Sequence, residues 1–315
     1  MGPGSRGSGG LVRATLPGGL GVSLTATTPA RPGLRVEAAG GGRLLIRQAE
    51  RIVLLARQGA RHHGVRYART GGYRSPLPPI TAAAARRVQE TSPDAAVWAM
   101  RWTHRFADWL GAADQDGPLH RGRWTFAAGM PGWSISTHWD RLTRVDPDRG
   151  HVTWFGYGDP DDDLRDVLPL RRLTPAGHGR VRAWRRQARA GVLPPVLLWW
   201  VSGLQTLVLL DGHDRTVAAL AEGGPPDVVV LAPADQGADR MRHEINGYVR
   251  RMRHLEAADV PAARLAVESR GLAEGVAGAV RAEGRTTAWP VRGGSREWER
   301  LAVRLAPGWD TGSRP

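Results

Sequence analysis

Leu207-Val208-Leu209-Leu210-Asp211-Gly212-His213-Asp214-Arg215-Thr216-Val217-Ala218-Ala219-Leu220 is the stretch whose reading decides the fold. It reads as a buried strand, a sharp turn crowded with polar groups, and a helix start. Such a turn aims free backbone N–H groups and the positive end of a helix dipole outward, which favours an anion such as phosphate. Each polar residue has a chemistry to offer. Arg215 is a planar, permanently charged fork suited to phosphate oxygens, and the amides of Gly212, His213, Asp214 and Arg215 form a nest of donors. His213 could donate to a bridging oxygen or act as general acid or base, and Asp211 could orient it, hold Mg²⁺ or accept a substrate proton.

Plainer roles compete at the same positions. Asp211 suits a helix cap, Arg215 could pair with Asp211 or Asp214, and His213 could be structural. Asp214 adds a second carboxylate that repels phosphate, which argues for a metal or for a non-catalytic copy.

Working outward, Pro195–Val201 and Thr206–Leu210 read as two apolar strands joined at Ser202-Gly203-Leu204-Gln205, a hairpin. Upstream lie an extended piece, Val167–Leu170, and a helix, Arg180–Ala190, closed by Gly191 and Pro194. Downstream, Gly223-Gly224-Pro225-Pro226 ends the helix and Asp227–Leu231 reads as a third strand.

This order of elements, with Pro194-Pro195-Val196, Leu210-Asp211-Gly212-His213-Asp214-Arg215 and Ala218-Ala219 at its fixed points, resembles the ParB/sulfiredoxin-like superfamily over residues 164–233. The resemblance implies a pocket at the turn that handles a nucleotide or phosphoryl group. Relatives of that kind include partition proteins that bind and hydrolyse CTP, free-serine kinases with an Asp-Gly-His-Thr-Arg turn, ATP-using sulfiredoxins and ParB-like nucleases. Sulfiredoxin activity needs a Cys where His213 stands, so it is excluded. The partition version of the turn lacks two matching residues here. The serine-kinase version differs within the pentapeptide only at Asp214. The resemblance thus implies a nucleoside triphosphate, ATP or CTP, with Mg²⁺ at Asp211, and Asp211 and His213 as catalytic residues. It equally allows a non-catalytic, DNA-binding or regulatory protein.

The remainder is read from pattern alone. The expected class is α+β: a central ParB-like unit at 164–233, a mixed β/α region at 11–158, a mostly helical region at 234–315, and disorder at 1–10. In the N-terminal region Leu11–Thr15, Gly21–Thr25, Leu34–Ala38 and Arg43–Arg47 read as short strands. Glu50–Arg61 has helical spacing in Ile52, Leu55 and Ala56, and Arg66–Pro79 reads as a loop. Helices are expected at Thr81–Glu90 and Pro93–Leu110, the second with Ser92 as N-cap and Pro93 at its first position. Arg141–Val145 and His151–Phe155 read as a hairpin. Asp159–Asp163 reads as a solvated linker. Beyond Pro233, helices are expected near 239–257 and 261–281, a strand at Thr286–Val291 and a helix at Ser295–Leu305. His62-His63 lacks a third ligand at metal spacing, and Ala266–Arg281 is only faintly like a helix-turn-helix.

Composition excludes whole classes of chemistry. The 315 residues contain no Cys, which removes disulfides, thiolate catalysis and Cys-ligated metals. They also contain no Lys, so all 44 basic residues are Arg, and the P-loop Lys, the kinase Lys and the Schiff-base Lys are absent. The net charge of +14 points to anionic partners: a nucleotide or small phosphorylated ligand, or nucleic acid through the Arg-rich surface. A codon-biased genome rich in Arg, Ala, Gly and Pro accounts for it equally well. No apolar run approaches the roughly 20 residues of a membrane span. Met1–Gly10 lacks the apolar stretch of a secretory signal, so a cytoplasmic protein without a membrane partner is expected.

Overall fold

The apolar runs on either side of Ser202–Gln205 form the antiparallel hairpin Val196–Val201 and Thr206–Asp211. Their side chains alternate between two cores. Leu197, Trp199, Val208 and Leu210 enter one, and Leu198, Trp200, Leu207 and Leu209 enter the other. A strand buried on both faces has to be apolar throughout, which is why neither run shows polar alternation.

This architecture is that of a computed structural model. It describes residues 12–16, 21–59, 64–113, 116–130, 136–137, 139, 142, 148–153, 164–165, 167–234, 247–255, 257–258, 261–267, 269–270 and 284–309. The expected features at 1–10, His62-His63, Asp159–Asp163, Arg141–Val145 apart from Leu142, and most of 266–281 lie outside the described residues.

The class is α+β, built on two mixed sheets. The first contains β1 (Val12–Thr15), β2 (Gly21–Ala26), β7 (Gly122–Ala128), β11 (Val167–Pro169), β12 (Val196–Val201), β13 (Thr206–Asp211) and β14 (Val228–Pro233), in the order β1-β2-β7-β14-β12-β13-β11. β14 runs parallel to β12 and antiparallel to β7. The sheet therefore draws on chain both before and after residue 158, and the 164–233 segment shares it with the N-terminal region.

The second sheet contains β3 (Leu34–Ala39), β4 (Arg43–Gln48), β5 (Arg51–Gly59), β6 (Gly64–Arg69), β9 (Arg149–Thr153) and β15 (Ala288–Pro290), in the order β15-β3-β4-β5-β6-β9. Two short strands, β8 (Ser136–Thr137) and β10 (Leu164–Arg165), pair in parallel. The helices are α1 (Ala82–Glu90), α2 (Ala95–Ala112), α3 (Gly179–Arg189), α4 (His213–Ala221) and α5 (Gly294–Leu305). Residues 247–255 and 262–267 are also helical. Among the described residues no helix is long and apolar enough to cross a membrane.

One core is common to both sheets and to α2: Leu24, Val36, Ile46, Leu54, Trp102, Phe106, Trp199 and Val208 all belong to it. The opposite face of the second sheet is covered by α5, with Leu45, Ile52 and Leu55 against Trp298 and Leu301. Trp298 is fully buried and its indole N–H donates to the Leu44 carbonyl at 2.8 Å. Glu299, beside it, pairs with both Arg43 and Arg57.

Three expectations need correction. Glu50–Arg61 is not a helix but contains strand β5. The register between β4 and β5 slips, Ile46 opposing Leu54 while Arg47 opposes Ile52, so Val53 is an extra residue. That bulge puts Ile52 and Leu55, three apart, on the same face, and so imitates helical spacing within a strand. Next, Arg66–Pro79 is not wholly loop, since Gly64–Arg69 is β6. Finally, α2 starts two residues late. Its N-cap is Asp94, whose carboxylate accepts from the Val97 N–H at 2.8 Å. Ser92 instead donates its hydroxyl to the Val88 carbonyl at 2.6 Å, and Pro93 stays outside the helix.

Candidate functional site

The turn between β13 and α4 is made by Gly212, which serves as the N-cap of α4 with φ +97° and no side-chain cap bond. A Cβ there would stand 2.6 Å from Val196 Cγ1, so both conformation and space demand glycine. Asp211 is therefore not the helix cap. Its Oδ2 accepts from Arg215 Nη2 at 2.8 Å, and its Oδ1 accepts from the Ser75 hydroxyl at 2.7 Å.

Arg215 is turned inward. Its Nη2 also donates to the Pro195 carbonyl at 3.0 Å, its guanidinium carbon lies 5.7 Å from the Trp184 ring centre, and only 4% of the residue is exposed. The cation expected to grip phosphate is spent on fixing β12 to the start of α4.

Asp214 takes the place where an external anion was expected. It stands in the first turn of α4, where the helix dipole favours negative charge. Its Oδ1 accepts from Thr174 Oγ1 at 2.7 Å, its Oδ2 pairs with Arg180, and Arg171 Nη2 lies 3.4 Å from Oδ1. Only 6% of this side chain is exposed. The chain thus supplies its own counter-ion to the turn, which explains a residue that looked misplaced in a phosphate loop.

His213 is buried beside Tyr73, with ring centres 6.0 Å apart, and among the described residues its Nε2 has no hydrogen-bond partner. Burial first, then the positive charges of Arg171, Arg69 and Arg215, hold its pKa well below 6.5, so the imidazole is neutral at pH 7. Tyr73 donates its hydroxyl to the Leu210 carbonyl at 2.6 Å. Burial, and then the charge of Asp211, push its pKa well above 10, so that donor is permanent.

The arrangement does not suit Mg²⁺ at Asp211. Both carboxylate oxygens are engaged, one by a guanidinium, and among the described residues no three His, Cys, Asp or Glu side chains group as metal ligands. Room for a ligand lies next door. A cavity of about 650 Å³ is lined by Arg69, Thr70, Asp148, Arg149, Arg171 and Arg172, with Leu305, Ala306 and Pro307 on one side. Arg172 pairs with Asp148, and Arg69 Nη1 donates to the Pro169 carbonyl at 3.2 Å. Arg69 and Arg171 are common to this cleft and to the surroundings of His213.

The structure thus brings Asp211 and Arg215 together, buries His213 beside Tyr73, and joins Asp214 to Thr174 and Arg180. Sequence reasoning missed Tyr73, Ser75, Arg69, Arg171, Thr174 and Arg180. The signal for one of them was present: an Arg171-Arg172 doublet directly follows an apolar extended piece. Compared with known proteins, the chain matches no family model, no curated protein and no solved structure.

Proposed function

We propose that this protein binds a phosphate-bearing small molecule, a nucleotide in the first instance, in the arginine-lined cleft beside the Asp211–Arg215 turn. On this reading it is a ParB/sulfiredoxin-like protein that binds ligand without turning it over. The observation that carries it is the position of Arg171, which lines the cleft and touches Asp214 at only 3.4 Å. Asp214 keeps Arg180 and Thr174 if Arg171 swings to a ligand, so recruiting that guanidinium costs little. A cavity of about 650 Å³ suits a ligand of nucleotide size. Guanidinium forks match phosphate oxygens in pairs.

The absence of turnover follows from the committed state of the two candidate catalytic groups. Asp211 is paired with Arg215, His213 is buried at 2% exposure, and neither side chain lines the cleft. Calorimetry with ATP, CTP and ADP, with and without Mg²⁺, tests the reading. Binding is expected for the wild type, weakened about tenfold or more in Arg171→Ala, since a hydrogen bond to a charged group is worth roughly 1.5–3 kcal/mol. No heat at millimolar nucleotide, or an unchanged affinity in Arg171→Ala, overturns it. Release of inorganic phosphate by the wild type, lost in His213→Ala, would overturn the non-catalytic half.

A further inference from the structure

A second cleft, about 660 Å³, opens between the face of β3, β4 and β5 and helix α5. Among the described residues seven guanidiniums and three carboxylates line it, an excess of four positive charges. The pairing within it is uneven. Glu37, only 2% exposed, accepts from Arg31 at 2.8 Å, Arg35 at 2.8 Å and Arg47 at 3.1 Å. Burial pushes its pKa up, but the hydrogen bonds and charges of Arg35 and Arg47 outweigh this and hold it below the ordinary carboxylate value. Glu297 pairs with Arg300.

Arg51, Arg292 and Arg304 complete the cationic lining, and among the described residues none of them has a carboxylate within ion-pair distance. Arg51 Nε is moreover buried without a hydrogen-bond partner. Leaving such a donor unsatisfied is costly, and like charges gathered without a counter-ion repel. These features describe a site completed from outside.

We infer that this cleft binds a small molecule carrying at least two phosphate groups and no aromatic ring, held by Arg51, Arg292 and Arg304. With Glu50 counted and Arg304 already acting on Glu297, the lining still carries an excess of four positive charges, more than one phosphate monoester neutralises at neutral pH. Among the described residues the large apolar side chains in the lining are Ile52, Leu301 and Leu305, and none offers a ring to stack on a nucleobase. Pyrophosphate-like groups and multiply phosphorylated sugars or polyols have that chemistry. The cleft meets the nucleotide cleft at Thr70 and Leu305 but shares none of its arginines.

Calorimetry of the full chain with inorganic tripolyphosphate tests the inference. In the Arg171→Ala background, where the first cleft no longer competes for the probe, binding is expected to persist and to fall about tenfold or more when Arg51→Gln and Arg304→Gln are added. Arg292→Gln, a change at an exposed position, is the independent second variant and is expected to weaken binding in the same direction. Tripolyphosphate is further expected to protect Arg51 and Arg304 from phenylglyoxal, read by peptide mass. No binding at millimolar tripolyphosphate overturns the inference, as does equal modification with and without it. Loss of binding in Arg171→Ala alone would move the ligand to the first cleft and equally overturn it.

Discussion

Arg215 Nη2 stands 2.8 Å from Asp211 Oδ2 one helical turn away, and the same nitrogen reaches the Pro195 carbonyl at 3.0 Å. One guanidinium therefore clamps the end of β13, the entry to β12 and the first turn of α4. Breaking a buried pair by removing one partner costs about 3–5 kcal/mol, because the other charge is left behind. Asp211 keeps some solvent contact, so Arg215→Ala is expected to cost about 3 kcal/mol, at the lower end. Urea unfolding checks this. A melting curve that superposes on the wild type would return Arg215 to the role of an external ligand.

Gly212→Ala should be nearly as damaging. The left-handed backbone costs a non-glycine residue roughly 1–2 kcal/mol, and the new methyl would overlap Val196. Overpacking adds about 1–3 kcal/mol more. The companion change Val196→Ala, which removes the nearest atom, Cγ1, and leaves Cβ at 2.9 Å, is expected to recover part of the loss, and a double-mutant cycle measures the coupling.

His213 makes stability depend on pH in a defined direction. Its pKa in the fold lies well below the ordinary 6.5, so below pH 6.5 the unfolded chain binds a proton that the native protein does not. Stability is thus undiminished above pH 6.5. It falls as the pH drops from there toward the native pKa, by up to about 1.4 kcal/mol per pH unit from this group. Urea midpoints at pH 7.5 and 5.5 should differ less in His213→Gln than in the wild type. Equal differences would mean that the imidazole is not buried neutral.

Trp298→Ala should loosen α5 from the second sheet. The indole is fully buried, donates to the Leu44 carbonyl at 2.8 Å, and has the Arg57 guanidinium 5.0 Å from its centre. Losses of about 3–5 kcal/mol are usual for such a truncation. Hydrogen exchange should quicken in α5 and along β4 before it does in the β12–β13 hairpin. Because Leu301 and Leu305 also line the second cleft, tripolyphosphate binding should weaken with it.

What the sequence disclosed was local. The hairpin, α3, α4, β14, β15 and α5 follow from apolar runs bounded by Gly, Pro and capping residues, and each forms close to where those signals place it. The bulge at Val53 hid β5, because it breaks the two-residue period on which strand recognition rests. Which strands become neighbours was equally hidden, since β7 joins β14 across about a hundred residues of intervening chain. At the turn, residue types and spacing were legible but direction was not. Whether Arg215 faces a ligand or the interior depends on the Pro195 carbonyl and the Trp184 ring, which arrive from elsewhere in the chain. The same holds for Asp214, whose partners Thr174 and Arg180 belong to a segment read only for its helix.

Because β14 is flanked by β12 on one side and by β7 on the other, residues 164–233 cannot be cut out and studied alone without stripping Val229–Pro233 of their paired strand. An excised fragment would carry an unprotected flank of Val228-Val229-Val230-Leu231, a ready template for self-association. Insolubility of such a fragment would reflect where it was severed rather than any lack of ligand, and the natural unit for experiment includes the N-terminal strands.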